Sequence, residues 1–146
     1  MQRPKLVGIN HVALEVDDID EALAFYGSIF DLVLRGRSAQ MAFIDIGDQF
    51  IALSRGRTQA ADDHRHFGLV VDNRSATRDA LEAAGVEVLP GRGVDFRDPW
   101  GNLVQIVQYD EVQFLKADSV LRALGVEPGK TELARAELRV KGIDAG

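Results

Sequence analysis

The chain has no cysteine, which removes disulfides, thiolate metal ligands and cysteine nucleophiles together. It also has no apolar run of about 18 residues, the length a membrane-spanning helix needs, so no membrane partner is expected. Basic residues are in the minority: 17 Lys and Arg against 23 Asp and Glu give a formal charge of −6. A general binder of nucleic-acid phosphates needs a basic face, so nucleic acid is not an expected partner. The first residues, MQRPKLVGIN, lack the apolar core of a signal peptide, which makes the cytoplasm the expected compartment. What is present is an ordinary globular composition, 46% hydrophobic and 27% charged over 146 residues, enough for one domain with its own core.

The most informative positive feature is an internal repeat. Residues 11–37 (HVALEVDDIDEALAFYGSIFDLVLRGR) align with 66–92 (HFGLVVDNRSATRDALEAAGVEVLPGR) at an offset of 55 without a gap. Eight positions are identical, His11/His66, Leu14/Leu69, Val16/Val71, Asp17/Asp72 and Gly36/Gly91 among them. Further on the offset becomes 53, and AFIDIGDQFIAL (42–53) aligns with DFRDPWGNLVQI (95–106), pairing Phe43 with Phe96 and Ala52 with Gln105. A repeat of this size is one supersecondary unit used twice. Positions related by the repeat tend to meet near a pseudo-twofold axis, which nominates His11, Ala52, His66 and Gln105 for one site.

Residues 5–16 alternate apolar and polar, the mark of a half-buried strand. Asp17 or Asp18 then caps a helix expected near 18–30, and short strands are expected near 32–38, 41–47 and 49–54, with Gly47-Asp48 as a turn. Residues 55–64 (RGRTQAADDH) read as a polar linker, with Asp62, Asp63 and His64 in solvent. The second copy repeats the order: a strand at 66–72, a helix near 74–84 capped by Asn73 or Ser75 and ended by Gly85, then strands near 86–89, 93–98 and 102–109. Beyond Asp110, residues 111–124 and about 130–141 read as amphipathic helices separated by Gly125 and Pro128-Gly129.

The fold class expected is therefore α+β. Two tandem βαβββ modules, about 6–54 and about 65–109, form an open cup-shaped mixed sheet with helices outside, followed by a helical extension over 110–146. Strand phase puts Val12, Leu14 and Val16 on the helix side and His11 on the bare side, and it does the same for His66, Ala52 and Gln105. Phe43, Phe50, Phe96, Leu103 and Val107 are the expected apolar lining around these four. Glu15 shares a face with His11 and is the candidate for a catalytic carboxylate.

INHVALEVDDIDEALAFYGSIFDL, HFGLVVDN and FRDPWGNLVQIVQY resemble the vicinal oxygen chelate superfamily, which includes glyoxalases, bleomycin- and fosfomycin-resistance proteins and extradiol dioxygenases. The resemblance covers roughly residues 6–109 and implies a divalent metal held by up to four strand side chains, matching His11, Ala52, His66 and Gln105. Catalytic relatives mostly carry a carboxylate, Glu in particular, where this chain has Ala52 and Gln105. It therefore implies a metal site (Zn, Ni, Mn or Fe) that binds weakly through His11, His66 and Gln105.

Two functions follow. The first is a metal-dependent lyase, isomerase or dioxygenase acting on a small substrate with adjacent oxygens, in a homodimer. Classical glyoxalase activity is not expected, because an amide at 105 takes up no proton near neutral pH. The alternative is a non-catalytic protein that binds and sequesters a small molecule. A scaffold role for the C-terminal helices is a third, weaker option.

Overall fold

The computed structural model describes residues 1–145. The first copy contains β1 (His11–Val16), α1 (Ile19–Ile29), β2 (Val33–Arg37), β3 (Met41–Asp45) and β4 (Phe50–Arg55). The second contains β5 (Phe67–Val71), α2 (Arg74–Ala83), β6 (Val94–Arg97) and β7 (Leu103–Gln108). A single 3₁₀ turn (Tyr109–Glu111) leads into α3 (Asp118–Leu124) and α4 (Glu132–Val140). Helix starts follow capping chemistry. Asp18 accepts the Glu21 N–H, and Asn73 accepts the Ala76 N–H, each satisfying an otherwise unpaired helical donor. Gly85 closes α2 with φ of 70°, in the left-handed region where a side chain would be strained.

The strands form two open mixed sheets, ordered β1-β4-β3-β2 and β5-β7-β6, with β1 parallel to β4 and β5 parallel to β7. Two expectations are corrected. No strand occupies 86–89 among the described residues. Leu89 donates one bond to the Asp95 carbonyl at 2.8 Å, but Pro90 has no N–H and the chain turns away through Gly91 and Gly93, so no ladder forms. The first strand begins at His11 rather than residue 5; residues 1–10 lie exposed outside any strand.

A third difference is a phase shift between the copies. Asp45 pairs with Phe50 and Arg97 with Leu103, so the second hairpin turn is one residue longer than the first. Phe43 lies opposite Ala52, whereas it is Asp95 that lies opposite Gln105. A slip of one residue exchanges the two faces of a strand. Phe96 is thus the structural counterpart of Ile44, fully buried against Val104 rather than lining a site.

One core serves both copies. Leu14, Val16, Ile44 and Leu53 belong to the same buried cluster as Leu81, Phe96, Val104 and Ile106. Phe25 and Phe30 at the end of α1 reach Phe96 at ring-centroid distances of 6.1 and 6.4 Å, which ties the first helix to the second sheet. The opposite face carries Phe43 in the first sheet, opposed by Ala52, and Gln105 in the second, none of them part of this core cluster.

The linker is anchored rather than solvated throughout. The Arg57 side chain, 4% exposed, donates to Asn102 and to the carbonyls of Gln59 and Ala60, and it pairs with Asp62 at 3.8 Å. Asp62, expected in solvent, is 10% exposed and accepts from the Leu103 N–H. Burial pushes its carboxyl up, but Arg65, the Leu103 N–H and Arg57 together outweigh this and hold it below the usual carboxylate value. His64 and Asp63 do lie in solvent.

The C-terminal extension is shorter in helix than expected, because residues 112–117 run irregularly before α3. Lys130 pins it down. Its buried ammonium donates to the carbonyls of Tyr109 and Val112 and sits 3.4 Å from the Tyr109 ring centroid. Burial draws this amine down to about 8, against the opposing pull of Asp110. Leu121, Ala134 and Leu138 are buried, while Leu133 and Val140 face solvent.

Candidate functional site

His11 opens β1 and His66 immediately precedes β5, each strand at the edge of its sheet, and both residues border one cleft of about 500 Å³. The cleft runs along β5 and is walled by Phe50, Leu69, Tyr109, Phe114, Leu121 and Val126. Such a volume and apolar wall suit a small organic ligand. The α3 segment contributes to it, so part of the extension belongs to the site.

Each imidazole is held the same way. His11 Nδ1 lies 3.0 Å from the Asn10 side-chain oxygen, and His66 Nδ1 lies 2.9 Å from the His64 carbonyl. In the tautomer that donates its Nδ1 proton to this oxygen, a neutral ring presents a free lone pair at Nε2. His11 also stacks on Phe50 with centroids 4.7 Å apart and planes 6° from parallel, fixing the ring. Arg35 lies over the same Phe50 ring at 5.0 Å.

The other sequence candidates fall elsewhere. Gln105 is exposed on the bare face of β7, in register with Gly68, and does not line the cleft. Ala52 is buried at the centre of β4, and Phe43 stands beside Phe50 on the same bare face, edge to face at 5.9 Å. Leu103 and Val107 are partly buried on β7 outside the cleft. Glu15 sits at the far end of β1, where its carboxylate accepts the Thr58 N–H at 3.3 Å. Among the described residues no group of three His, Asp or Glu side chains is placed to hold a metal.

Three features escaped the sequence reading. Asn10 was legible as the polar neighbour of His11. Lys116, which reaches the Ile46 carbonyl at 3.0 Å and pairs with Asp48, carries no motif. Asp95 was hidden by the phase shift, because the alignment matched it to Ala42.

The chain belongs to the Glyoxalase/Bleomycin resistance protein/Dioxygenase superfamily, whose model matches residues 8–106. A metallothiol transferase, FosB, from Shouchella clausii is 28% identical over 114 residues, covering 68% of this chain and 78% of that protein. Among solved structures, lactoylglutathione lyase from Agrobacterium tumefaciens shares the fold at a TM-score of 0.61 and 24% identity, over 72% of this chain and 96% of that one. FosX from Listeria monocytogenes, complexed with Mn(II) and sulfate ion, shares it at a TM-score of 0.61 and 22% identity, over 70% and 92%.

Proposed function

We propose that the chain binds a divalent cation through the Nε2 atoms of His11 and His66, with Gln105 as a neutral oxygen donor, and captures a small oxygen-bearing ligand in the adjoining apolar cleft. The observation that carries this reading is the matched pair of Nδ1 hydrogen bonds on two imidazoles bordering one cavity. A bound divalent metal would supply Lewis acidity to adjacent ligand oxygens. The chain's own contribution is orientation and desolvation: Asn10 and the His64 carbonyl fix the rings, and Phe50, Leu69 and Phe114 shield the cleft from water. Its neutral donors give modest affinity, since no carboxylate offsets the charge of the cation. The relative named metallothiol transferase and a FosX variant complexed with Mn(II) and 1S,2S-dihydroxypropylphosphonic acid favour Mn(II) and a phosphonate with adjacent oxygens as first probes.

We further propose a homodimer in which bare sheet faces of two copies cover one another. This would bury Val33 of β2, a large apolar side chain that is exposed in the single chain; it opposes Asp45 and so shares the face of Phe43.

Mn(II) titration of the full chain, followed by calorimetry or electron paramagnetic resonance, tests the site. Saturable one-to-one binding is expected, and it should weaken in both His11→Ala and His66→Ala. Folded protein that takes up no Mn(II), Zn(II) or Ni(II) would replace the reading with metal-free sequestration of an organic molecule. Light scattering at twice the chain mass is expected for the dimer; a monomer at all concentrations would refute it.

A further inference from the structure

We infer that the cleft selects an apolar monocarboxylate, a hydrocarbon body with one carboxylate, whose charge the Lys116 ammonium takes in exchange for Asp48. This rests on the ligand cleft proposed above and not on its cation. Three observations place it. The walls are apolar, with Ile46, Phe50, Ile51, Leu69, Phe114 and Leu121 among them. Lys116 carries the permanent positive charge among the described residues that border the cleft, and its Nζ sits between other wall residues. It donates to the Ile46 carbonyl at 3.0 Å and to the Gln49 side-chain oxygen at 3.3 Å, and it lies 5.9 Å from the Phe114 ring centroid. Its ion-pair partner, Asp48, is not part of the wall.

The ammonium is held in place by its surroundings. Gln49 donates through Nε2 to the Ile9 carbonyl at 2.7 Å, which leaves its oxygen for Lys116. Four residues beyond Lys116, Val120 packs so closely on the β3–β4 turn that a Cβ at Gly47 would stand 2.7 Å from it. The two members of the ion pair differ in environment: the Lys116 side chain is 9% exposed and that of Asp48 is 54% exposed. The hydrogen bond from Lys116 holds the Asp48 carboxyl below its ordinary value, so the competitor is ionised at neutral pH. A pair with one member in water is worth little, because solvent competes for it. Asp48 therefore gives up the ammonium at small cost. A ligand carboxylate meets the same ammonium away from water, where charge-assisted hydrogen bonds are stronger. Its hydrocarbon body covers apolar wall at the same time. A neutral alcohol of equal length gains only this second contribution. Asp72, the acid bordering the same cleft, is exposed beyond the end of β5, where water screens it from the ligand.

Calorimetry with octanoate and octanol on the full chain tests this, with EDTA present to keep metal out of the comparison. Octanoate should bind the wild type about 10–100-fold more tightly than octanol, the range of a hydrogen bond to a charged group. Asp48→Asn should tighten octanoate further, because the competing charge is gone, and leave octanol unchanged. Lys116→Met should bring octanoate down to the level of octanol, and Lys116→Arg should keep the preference. Equal binding of the two probes by the wild type overturns the inference while the cleft stands. Binding of neither overturns the inference and the ligand cleft together. Weaker octanoate binding in Asp48→Asn would show that the pair only holds residues 112–117 in place, and would also overturn it. Asp48 is half in water, so that variant remains a test even if Lys116→Met folds poorly.

Discussion

The Tyr26 hydroxyl donates to Asp98 Oδ2 at 2.8 Å, joining α1 of the first copy to the β6–β7 turn of the second across 72 residues of sequence. Both groups are buried, and burial together with the adjacent carboxylate drives the phenol's ionisation far above its ordinary range. Asp98 also receives the Asn102 side-chain amide at 2.8 Å, and Asn102 donates on to the Glu15 carbonyl at 3.1 Å. The module boundary is thus sewn by a chain of polar contacts through an apolar core.

Removing that hydroxyl should be felt. Tyr26→Phe keeps the ring but leaves Asp98 one donor short, with an expected loss of about 1.5–3 kcal/mol, the range for a hydrogen bond to a charged group. Urea denaturation measures it. A loss under about 0.5 kcal/mol would mean that the remaining donors satisfy Asp98 alone.

The turn that holds Asp98 makes a second prediction. Gly101 has φ of 89°, and a Cβ there would stand 2.5 Å from that of Ala61. Gly125 has φ of 73° but open space around it. Left-handed backbone alone costs an alanine about 1–2 kcal/mol. Gly101→Ala should therefore lower the melting temperature clearly more than Gly125→Ala, because it adds a clash with the linker backbone to the same strain.

Acid should weaken the linker anchor. The Asp62 carboxyl is held below its usual value of 3.8, so the folded state binds fewer protons than the unfolded chain in that range. Its stabilisation is complete above pH 3.8 and is lost as pH falls through the lower folded value. Asp62→Asn should lower stability near neutral pH and flatten its dependence below about pH 4, as followed by chemical denaturation at several pH values.

Lys130→Met should release the extension while sparing the sheets. Its ammonium is the shared donor to Tyr109 and Val112 carbonyls, and the variant leaves both without it. Hydrogen exchange is expected to accelerate across α4, residues 132–140, with β4 and β7 unchanged. Uniform acceleration would instead mean that the extension is part of one cooperative unit with the sheets.

Turnover of the methylglyoxal–glutathione hemithioacetal should be negligible with Ni(II) or Zn(II). The amide of Gln105 cannot act as a base, and Glu15 lies four strand residues, about 13 Å, from His11. Catalytic efficiency reaching about 10⁴ M⁻¹s⁻¹ would place the chain among ordinary enzymes and refute this.

Much of this was legible in the chain itself. The Asp18 and Asn73 caps, the Gly85 stop, the alternation of 11–16 and the repeat that paired His11 with His66 are local signals, and the structure carries each of them. What was not legible depended on distance or on a single residue of phase. Arg57 and Asp62 look like polar linker residues until the second sheet is in place to receive them. The lining expected at Phe96 failed because sequence identity with Phe43 outvoted a turn one residue longer, and the same error concealed Asp95. The convergence of Gln105 with the histidines was inferred from strand parity, which fixes the face of a sheet but not where that face points.

That extra turn residue bears on how the two halves can be engineered. A codon added to one hairpin exchanges which side chains meet water along the strand before it, with no change in the strand's own letters. Transplanting a substitution from 43 to 96 by alignment would carry a bare-face change into the interior, and one from 44 to 97 would do the reverse. Libraries that treat the copies as interchangeable should shift β6 by one position before recombining them.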